Sequence, residues 1–269
     1  LFDTLKNPNY ALNPYIIFYS AIFSPTRKIL LAGTNDGLLA FSKGKLDSSL
    51  SLIDMPYETF KIYDLAEDIN GVIWLGTSHG IYNVKENNIQ KLSDKKNINI
   101  DMVSCVTAST NEKIYFGTNL GLIVWNGEKL VNLSEKKGIK TGQIRQIKTF
   151  NDSSYWIASD KGLFKLIDNE LINYELPGYE KNIIHSFEFD LNNNLWIGLS
   201  DGLLRVKENS SGKNIRFFSK EGGFIGGRCN SSAMVLSDNN QLFVGTDDGL
   251  LIVNTNDTFE SKSTYFPIL

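Results

Sequence analysis

Three side chains of this chain are well suited to binding a small ligand: an arginine, a histidine and a tyrosine that lie far apart in the sequence. Arg145 carries a planar set of donors that suits carboxylates and sugar hydroxyls, and His185 titrates near neutral pH. Tyr63 can stack on a sugar ring and donate a hydrogen bond. Together these residue types predict a binding site for a carbohydrate or a related small ligand. Further stacking surface is expected from aromatic residues in the loops between repeats: Tyr57, Phe60, Tyr179 and Phe224.

No residue pattern in the sequence indicates catalysis or a bound metal. No Ser-His-Asp order suggests a catalytic triad, and no glycine-rich loop precedes a helix as a phosphate site requires. The two histidines and two cysteines do not have the spacing of a zinc site. We therefore expect no catalytic residue, no metal and no cofactor. Acidic residues that recur at one place in the repeat are predicted to cap turns: Asp36, Asp160, Asp201, Asp247 and Asp248.

The elements that must position these residues follow from one short pattern that occurs six times. Its core is Gly-Thr-x-x-Gly between β-branched, aromatic and leucine residues, which predicts two strands joined by a tight turn. The closing glycine is present in every copy and predicts a backbone angle that other side chains disfavour. The Thr hydroxyl can bond a nearby backbone group. The copies are residues 30–41, 73–84, 114–125, 155–166, 195–206 and 242–253.

Each copy is flanked by two further strand candidates, one before it and one after it. Four antiparallel strands in a period of about 40 residues are typical of a β-propeller blade. We therefore predict an all-β protein, a single-domain β-propeller of six four-stranded antiparallel blades, with seven blades as the alternative. The predicted blades are 15–54, 57–97, 100–137, 141–178, 181–220 and 226–266, and residues 1–14 form either a ring-closing strand or the end of a further blade.

Aligned on the repeat, the innermost strands place a polar residue at one position in every blade and an apolar residue two places later. The apolar position is predicted to pack between blades. The polar position differs in chemistry from blade to blade, which favours a ligand site at the channel mouth, with simple solvation as the alternative. The polar members are Ser20, Tyr63, Ser104, Arg145, His185 and Ser232, and the apolar members are Ile22, Leu65, Val106, Ile147, Phe187 and Met234.

Composition excludes several classes of partner. The net charge of −3 gives no electrostatic footprint for nucleic acid. No apolar run approaches the roughly 20 residues that span a bilayer, so we expect no membrane contact by this chain. Cys105 and Cys229 fall in innermost strands of different blades and are predicted to be buried free thiols.

The pattern apolar-Trp-apolar-Gly-Thr-x-x-Gly-Leu resembles the two-component regulator propeller repeat. Residues 73–81 and 195–203 carry the resemblance best, and it covers nearly the whole chain. Copy one lacks the aromatic residue, Ala158 replaces glycine in copy four and Leu199 replaces threonine in copy five. We expect altered turns or packing in copies one and four.

The resemblance implies the periplasmic or cell-surface sensor region of a bacterial hybrid two-component histidine kinase that responds to polysaccharide fragments. It implies a non-catalytic, ligand-binding propeller that acts on neighbouring sensor domains or through self-association. Related propellers also serve in bacterial secretion systems, so an interaction scaffold is the alternative. A propeller enzyme such as a lactonase or glycosidase is the third interpretation.

Overall fold

The computed structural model describes residues 15–47, 60–85, 88–92, 100–151, 154–221, 224–256 and 264–267. The chain divides into two compact units. The first comprises residues 1–139 with 149–152, and the second comprises residues 140–148 with 153–269.

Three four-stranded sheets build the first unit, and each follows the chain strand by strand. Blade one contains β1 (Phe18–Ser24), β2 (Ile29–Thr34), β3 (Gly37–Ser42) and β4 (Lys45–Leu46). Blade two contains β5 (Ile62–Glu67), β6 (Ile73–Thr77), β7 (Gly80–Lys85) and β8 (Asn88–Lys91). Blade three contains β9 (Val103–Ala108), β10 (Ile114–Thr118), β11 (Gly121–Trp125) and β12 (Leu130–Asn132), and a short helix α1 (Leu133–Lys136) follows it.

The second unit repeats the same arrangement in three further sheets. Blade four contains β13 (Ile144–Asn151), β14 (Ser154–Ser159), β15 (Gly162–Ile167) and β16 (Glu170–Tyr174). Blade five contains β17 (Ser186–Phe189), β18 (Leu195–Gly198), β19 (Leu203–Asn209) and β20 (Gly212–Phe218). Blade six contains β21 (Cys229–Leu236), β22 (Gln241–Thr246), β23 (Gly249–Asn254) and β24 (Thr264–Pro267).

The predicted fold class is confirmed: the chain is an all-β propeller with six four-stranded antiparallel blades among its described residues. The fourth strand of blade six is β24, whose residues pair with β23. The predicted role of residues 1–14 lies outside the described residues. The predicted single domain and blade boundaries remain predictions.

The hydroxyl of the repeat closes the turn between the second and third strands. Thr77 Oγ1 donates to the Gly80 carbonyl at 2.8 Å and accepts the His79 N–H at 3.0 Å. Ser159 in copy four does the same work, with 2.9 Å to the Gly162 carbonyl. The predicted hydroxyl bond is therefore confirmed. The same bond to the closing glycine forms at Thr34, Thr118 and Thr246.

The expectation of altered turns in copies one and four is wrong, because the altered turn is in copy five. Leu199 has no hydroxyl, and its backbone N–H instead donates to the Gly202 carbonyl at 2.9 Å. The closing glycine has positive φ in the other five copies but not at Gly202. Gly202 is required for space instead, since a Cβ there would lie 2.2 Å from the Phe218 carbonyl oxygen.

The first glycine of the repeat lets the next blade approach closely. A Cβ built on Gly33 would lie 2.8 Å from the carbonyl oxygen of Ile62, in blade two. A Cβ built on Gly198 would lie 2.7 Å from Ser186 Oγ and 2.8 Å from Cys229 Cβ, in blade six. Adjacent blades within each unit are therefore in direct contact at the first glycine of the repeat.

The predicted apolar packing between blades is confirmed within each unit. Leu65 packs in the core shared by blades one and two, and Val106 in the core shared by blades two and three. Phe187 and Met234 occupy the corresponding cores of blades four and five and of blades five and six. The two cysteines are buried free thiols, as predicted.

We predict that Thr77→Val destabilises the fold whereas Thr77→Ser does not. Valine fills nearly the same volume but loses the two hydrogen bonds that the hydroxyl makes, to the Gly80 carbonyl and from the His79 N–H. The expected loss is about 1–3 kcal/mol in the free energy of unfolding. Serine retains the hydroxyl, as Ser159 shows in copy four. Urea unfolding of both variants measures the difference, and equal losses would contradict this role of the hydroxyl.

Candidate functional site

The turn of the repeat brings its first variable residue against the start of the first strand in blades four to six. In blade four, Arg145 Nε donates to Asp160 Oδ1 at 2.7 Å. In blade five, His185 Nε2 lies 3.0 Å from Ser200 Oγ. The equivalent pair in blade six joins Arg228 Nε to Asp247 Oδ2 at 3.3 Å. The second unit thus holds three basic side chains, each positioned by a turn residue of its own blade.

A β-bulge in blade six connects these pairs. The register of β21 against β22 shifts between Cys229 and Met234, and Ser232 has φ of 55° within the shift. The Ser232 N–H donates to the His185 carbonyl at 3.2 Å, and its hydroxyl donates to the Arg145 carbonyl at 2.8 Å. The bulge therefore ties blade six to blade five and, beyond it, to blade four near the basic side chains.

The same bulge offers an exposed hydroxyl to the arginine. Arg145 Nη1 lies 3.3 Å from Ser231 Oγ. Ser231 and Ser232 are both exposed, as is Ser200 of blade five. We define the polar cluster as Arg145, Asp160, His185, Ser200, Arg228, Ser231, Ser232 and Asp247.

A second pair of polar side chains lies three residues further along the first strands of blades four and five. Lys148 Nζ pairs with Glu188 Oε2 and also donates to the Met234 carbonyl at 3.3 Å. Glu188 Oε1 accepts the N–H of Phe189 at 3.1 Å. The charges of Lys148 and Glu188 thus compensate each other, and we do not include these two residues in the polar cluster.

His185 is a neutral group in the folded protein at pH 7. Its residue is only 5% exposed. Burial, followed by the nearby charges of Arg145 and Arg228, lowers the pKa of His185 to about 4. Asp160 and Asp247 act in the opposite direction but do not offset the arginines. The imidazole is therefore a hydrogen-bonding group and a weak base.

Of the sequence-predicted site residues, the structure brings Arg145, His185 and Ser232 together. Tyr179 lies in the loop between blades four and five, half-buried, with its ring centroid 5.9 Å from that of Phe217. Its placement neither adds it to the polar cluster nor gives it an open stacking face. Tyr57 lies outside the described residues.

Two aromatic residues predicted to offer stacking surface are buried instead. Phe224 is 3% exposed and packs in the core of blades five and six. Phe60 is 2% exposed, with its ring stacked on His79 and edge-on to Tyr82. Both residues follow loops but start the next blade, and the close approach of blades buries them.

In the first unit, the residues at and next to the predicted polar position make structural contacts. Tyr63 is half-buried, with its ring centroid 5.2 Å from that of Tyr19. The next residue, Asp64, accepts the Ser20 hydroxyl at 2.7 Å and the Val106 N–H at 2.9 Å. Burial raises the pKa of Asp64 to about 6. The Asp64 carboxylate therefore joins three blades. Tyr63 lies in the first unit, whereas the residues of the polar cluster all belong to the second.

Asp160 and Asp247 do not have the turn-capping role that the sequence predicts, whereas that role of Asp36, Asp201 and Asp248 stays a prediction. Thr and Ser hydroxyls close the turns, whereas Asp160 and Asp247 form ion pairs with arginines. Asp160 and Asp247 occupy the same place in the repeat, and each has an arginine in or just before the first strand of its own blade. That combination was the signal in the sequence for both acidic residues and for Arg228.

Among the described residues, no group of three or more His, Cys, Asp or Glu side chains is arranged so that it could bind a metal ion. No helix in the described ranges is both long and apolar enough to cross a membrane.

Residues 61–79 match the model of the two-component regulator propeller. These residues span β5, β6 and the turn of blade two as far as His79, the residue before the closing Gly80. The prediction that the chain carries this repeat is confirmed. No curated protein matches the sequence.

Solved structures of several kinds share the fold. The extracellular domain of the putative hybrid two-component system BT4673 from B. thetaiotaomicron is 17% identical, with a TM-score of 0.73 over 96% of this chain and 34% of that one. The corresponding domain of BT3049 is 17% identical, with a TM-score of 0.69 over 88% and 34%. This chain thus spans about a third of the length of these two domains.

Propellers with other roles are also similar. PorZ, a surface component of the type-IX secretion system of Porphyromonas gingivalis, is 17% identical, with a TM-score of 0.67 over 89% of this chain and 38% of that one. Virginiamycin B lyase from Staphylococcus aureus is 13% identical, with a TM-score of 0.67 over 93% and 84%. At these identities the likeness shows the propeller fold, and function must be argued from the site.

We predict that His185 makes stability pH-dependent. A folded-state pKa of about 4, below the ordinary 6.5, stabilises the fold fully above pH 6.5, and this contribution is lost as the pH falls towards 4. At pH 5 the loss is about 2 kcal/mol. In His185→Gln the fall in unfolding free energy between pH 7 and pH 5 should therefore be smaller by about this amount.

Urea unfolding at the two pH values measures this difference. The raised pKa of Asp64 gives a pH dependence of opposite sign, but it is common to both proteins and cancels in the comparison. An identical pH dependence of the wild type and His185→Gln would contradict a buried neutral imidazole.

Proposed function

We propose that this chain is a ligand-binding sensor propeller of a two-component signalling protein, and that it binds a carbohydrate or a related small ligand at the polar cluster. The observation that carries the proposal is the convergence of Arg145, His185 and Ser231–Ser232 from three successive blades. The similar extracellular domains and the matched repeat favour a sensor over other propellers. The proposal places the chain in the periplasm or at the cell surface.

The composition of the polar cluster suits a polyhydroxylated ligand. A sugar hydroxyl both donates and accepts, so it is best matched by adjacent donors and acceptors. The guanidinium of Arg145 and the carboxylate of Asp160 lie side by side, and the exposed Ser231 hydroxyl can do either. Several such groups from different blades would fix the orientation of one small molecule.

The cluster is poorly equipped for catalysis. His185 and Ser200 are within hydrogen-bond distance, as a base and a nucleophile would be. However, a pKa of about 4 makes the imidazole too weak a base to activate a serine at neutral pH. No carboxylate bonds the second ring nitrogen of His185 within the described part of the chain. These features favour binding without turnover.

Signalling would then arise from the difference in ligand affinity between two arrangements of the surrounding protein. The cluster joins three blades through side chains and backbone, so a bound ligand would favour one arrangement of their first strands. We propose that neighbouring sensor domains, or a second copy of the chain, read that arrangement.

An interaction scaffold is the second candidate, and blade one favours it. Phe23 and Leu30 are cross-strand partners on β1 and β2 and are 63% and 42% exposed. Phe18 and Tyr15 are also exposed. Exposed apolar side chains on one sheet are typical of a protein-binding surface. A scaffold would respond to Phe23→Ser in a partner-binding assay and would not respond to small molecules.

We predict that Arg145→Ala abolishes the stabilisation of this chain by its ligand. Thermal unfolding against a panel of oligosaccharides should reveal a ligand, since saturation at 100 times the dissociation constant adds about 2.7 kcal/mol. The matched control is Arg27→Ala in blade one, which likewise removes an arginine paired with a carboxylate, that of Glu67, although Arg27 also bonds the Gly71 carbonyl.

The control should retain the ligand-induced shift, and Arg145→Ala should lose it. A shift that persists in Arg145→Ala would contradict a site at the polar cluster. The absence of a shift with every glycan would favour the scaffold.

A further inference from the structure

Two arginines of the polar cluster approach His185 from both neighbouring blades. Arg145 belongs to blade four, and its side chain is 19% exposed. Arg228 immediately precedes β21 of blade six, and its side chain is 56% exposed. The first is thus set into the site, and the second lies at its rim.

Each arginine is held by an aspartate of its own blade on one edge of the guanidinium. Asp160 bonds the Nε of Arg145, and Asp247 faces the Nε and Nη2 of Arg228 at 3.3 and 3.5 Å. A guanidinium has five N–H donors in a fixed plane. The aspartates therefore orient the two guanidinium groups and leave their remaining N–H donors for a ligand.

Several donors of these planes are available. Arg145 Nη1 has only a long contact of 3.3 Å to the exposed Ser231 hydroxyl. Arg145 Nη2 and Arg228 Nη1 have no protein partner within the described ranges. An incoming oxygen can therefore replace the Ser231 hydroxyl at Arg145 without breaking either ion pair.

The electrostatic environment of His185 agrees with this geometry. Both arginines disfavour the imidazolium more strongly than Asp160 and Asp247 favour it. These four side chains therefore make the electrostatic potential at the imidazole positive, even though their formal charges add up to zero. A neutral sugar ring makes little use of such a field, whereas an anionic substituent does.

We propose that the ligand carries an anionic group, a carboxylate or a sulfate ester, which binds between Arg145 and Arg228 above His185 and Ser200. This inference rests on the proposed function, because it names the chemical class of the ligand at the same site. Arginine is suited to it, since both kinds of anion present two oxygens to its planar donors.

Matched pairs of oligosaccharides test the anionic group directly. Oligogalacturonates are compared with their neutral methyl esters, and sulfated galactan oligosaccharides with their desulfated counterparts, by isothermal titration calorimetry of the whole chain. At least one acidic member should bind about tenfold or more tightly than its neutral partner. Its affinity should fall as salt is raised. The two pairs distinguish a carboxylate from a sulfate ester.

Two variants locate the anion, and a third serves as the control. Arg145→Gln and Arg228→Gln should each weaken the acidic ligand about tenfold or more and remove most of the preference over its neutral partner. Arg27→Gln in blade one should change neither. Unfolding curves of all three variants establish that loss of binding is not loss of fold.

Failure of the inference is distinguishable from failure of the proposed function. Equal binding of acidic and neutral members, lost in Arg145→Gln, would overturn the anionic group and leave the sugar site in place. An acidic preference that survives both arginine variants would also overturn it. Binding of no member of either pair would overturn the inference, and no response to the wider glycan panel would overturn the proposed function as well.

Discussion

The close approach of one blade to the next is the constraint on which the rest of the structure depends. It requires the first glycine of the repeat, because a side chain at Gly33 or Gly198 would collide with the neighbouring blade. It also explains the backbone-to-side-chain bonds that cross between blades in each unit. The Asp64 carboxylate accepts the Val106 N–H, and the Gln146 amide oxygen accepts the equivalent N–H of Phe187 at 2.7 Å.

The bonding of the turn leaves its first variable position available for function. In five copies a Thr or Ser hydroxyl closes the turn, and in blade five a bond between the Leu199 N–H and the Gly202 carbonyl is present there, so the residue after it is not needed to close the turn. In blades four to six that residue is Asp160, Ser200 or Asp247, and it meets the start of the first strand. A structural repeat thus presents a different side chain in each blade while its backbone stays nearly constant.

Blade five shows how far the repeat tolerates change. Leu199 replaces the hydroxyl and is fully buried, and the turn is closed by its backbone N–H instead. His185 and Ser200 occupy the site next to this altered turn. The departure from the pattern and the only histidine of the polar cluster therefore fall in the same blade.

Much of the fold could be predicted from the sequence, because six copies of one pattern, four of them strictly Gly-Thr-x-x-Gly, between alternating strand residues leave few architectures open. Equivalence within the repeat also singled out Arg145, His185 and Ser232, which the structure brings together, although the register shift in blade six puts Arg228 rather than Ser232 beside the turn residue. Long-range effects could not be predicted: the burial of Phe60 and Phe224 depends on how tightly the blades pack. The bulge at Ser232 was likewise hidden, because no glycine marks it in the sequence.

The pairing of Asp160 and Asp247 with arginines was missed for a different physical reason. Aspartate in a turn often caps the backbone, so the local pattern predicts a cap. The arginine partners lie 15 and 19 residues away in the sequence, where a local pattern does not reveal them. In this repeat the hydroxyl already fills the capping role, so the carboxylates are available for the arginines. An account of the complete turn, including which groups are already satisfied, would have predicted the pairs.

The central claim is that the polar cluster of blades four to six is where this chain binds its ligand. Side-chain NMR tests it most directly, by following the Nε–H resonance of Arg145 and the imidazole resonances of His185 while a binding saccharide is added. We expect both resonances to shift with one dissociation constant, while the Nε–H resonance of Arg27 in blade one does not move. Saturable binding that leaves Arg145 and His185 unperturbed would contradict it.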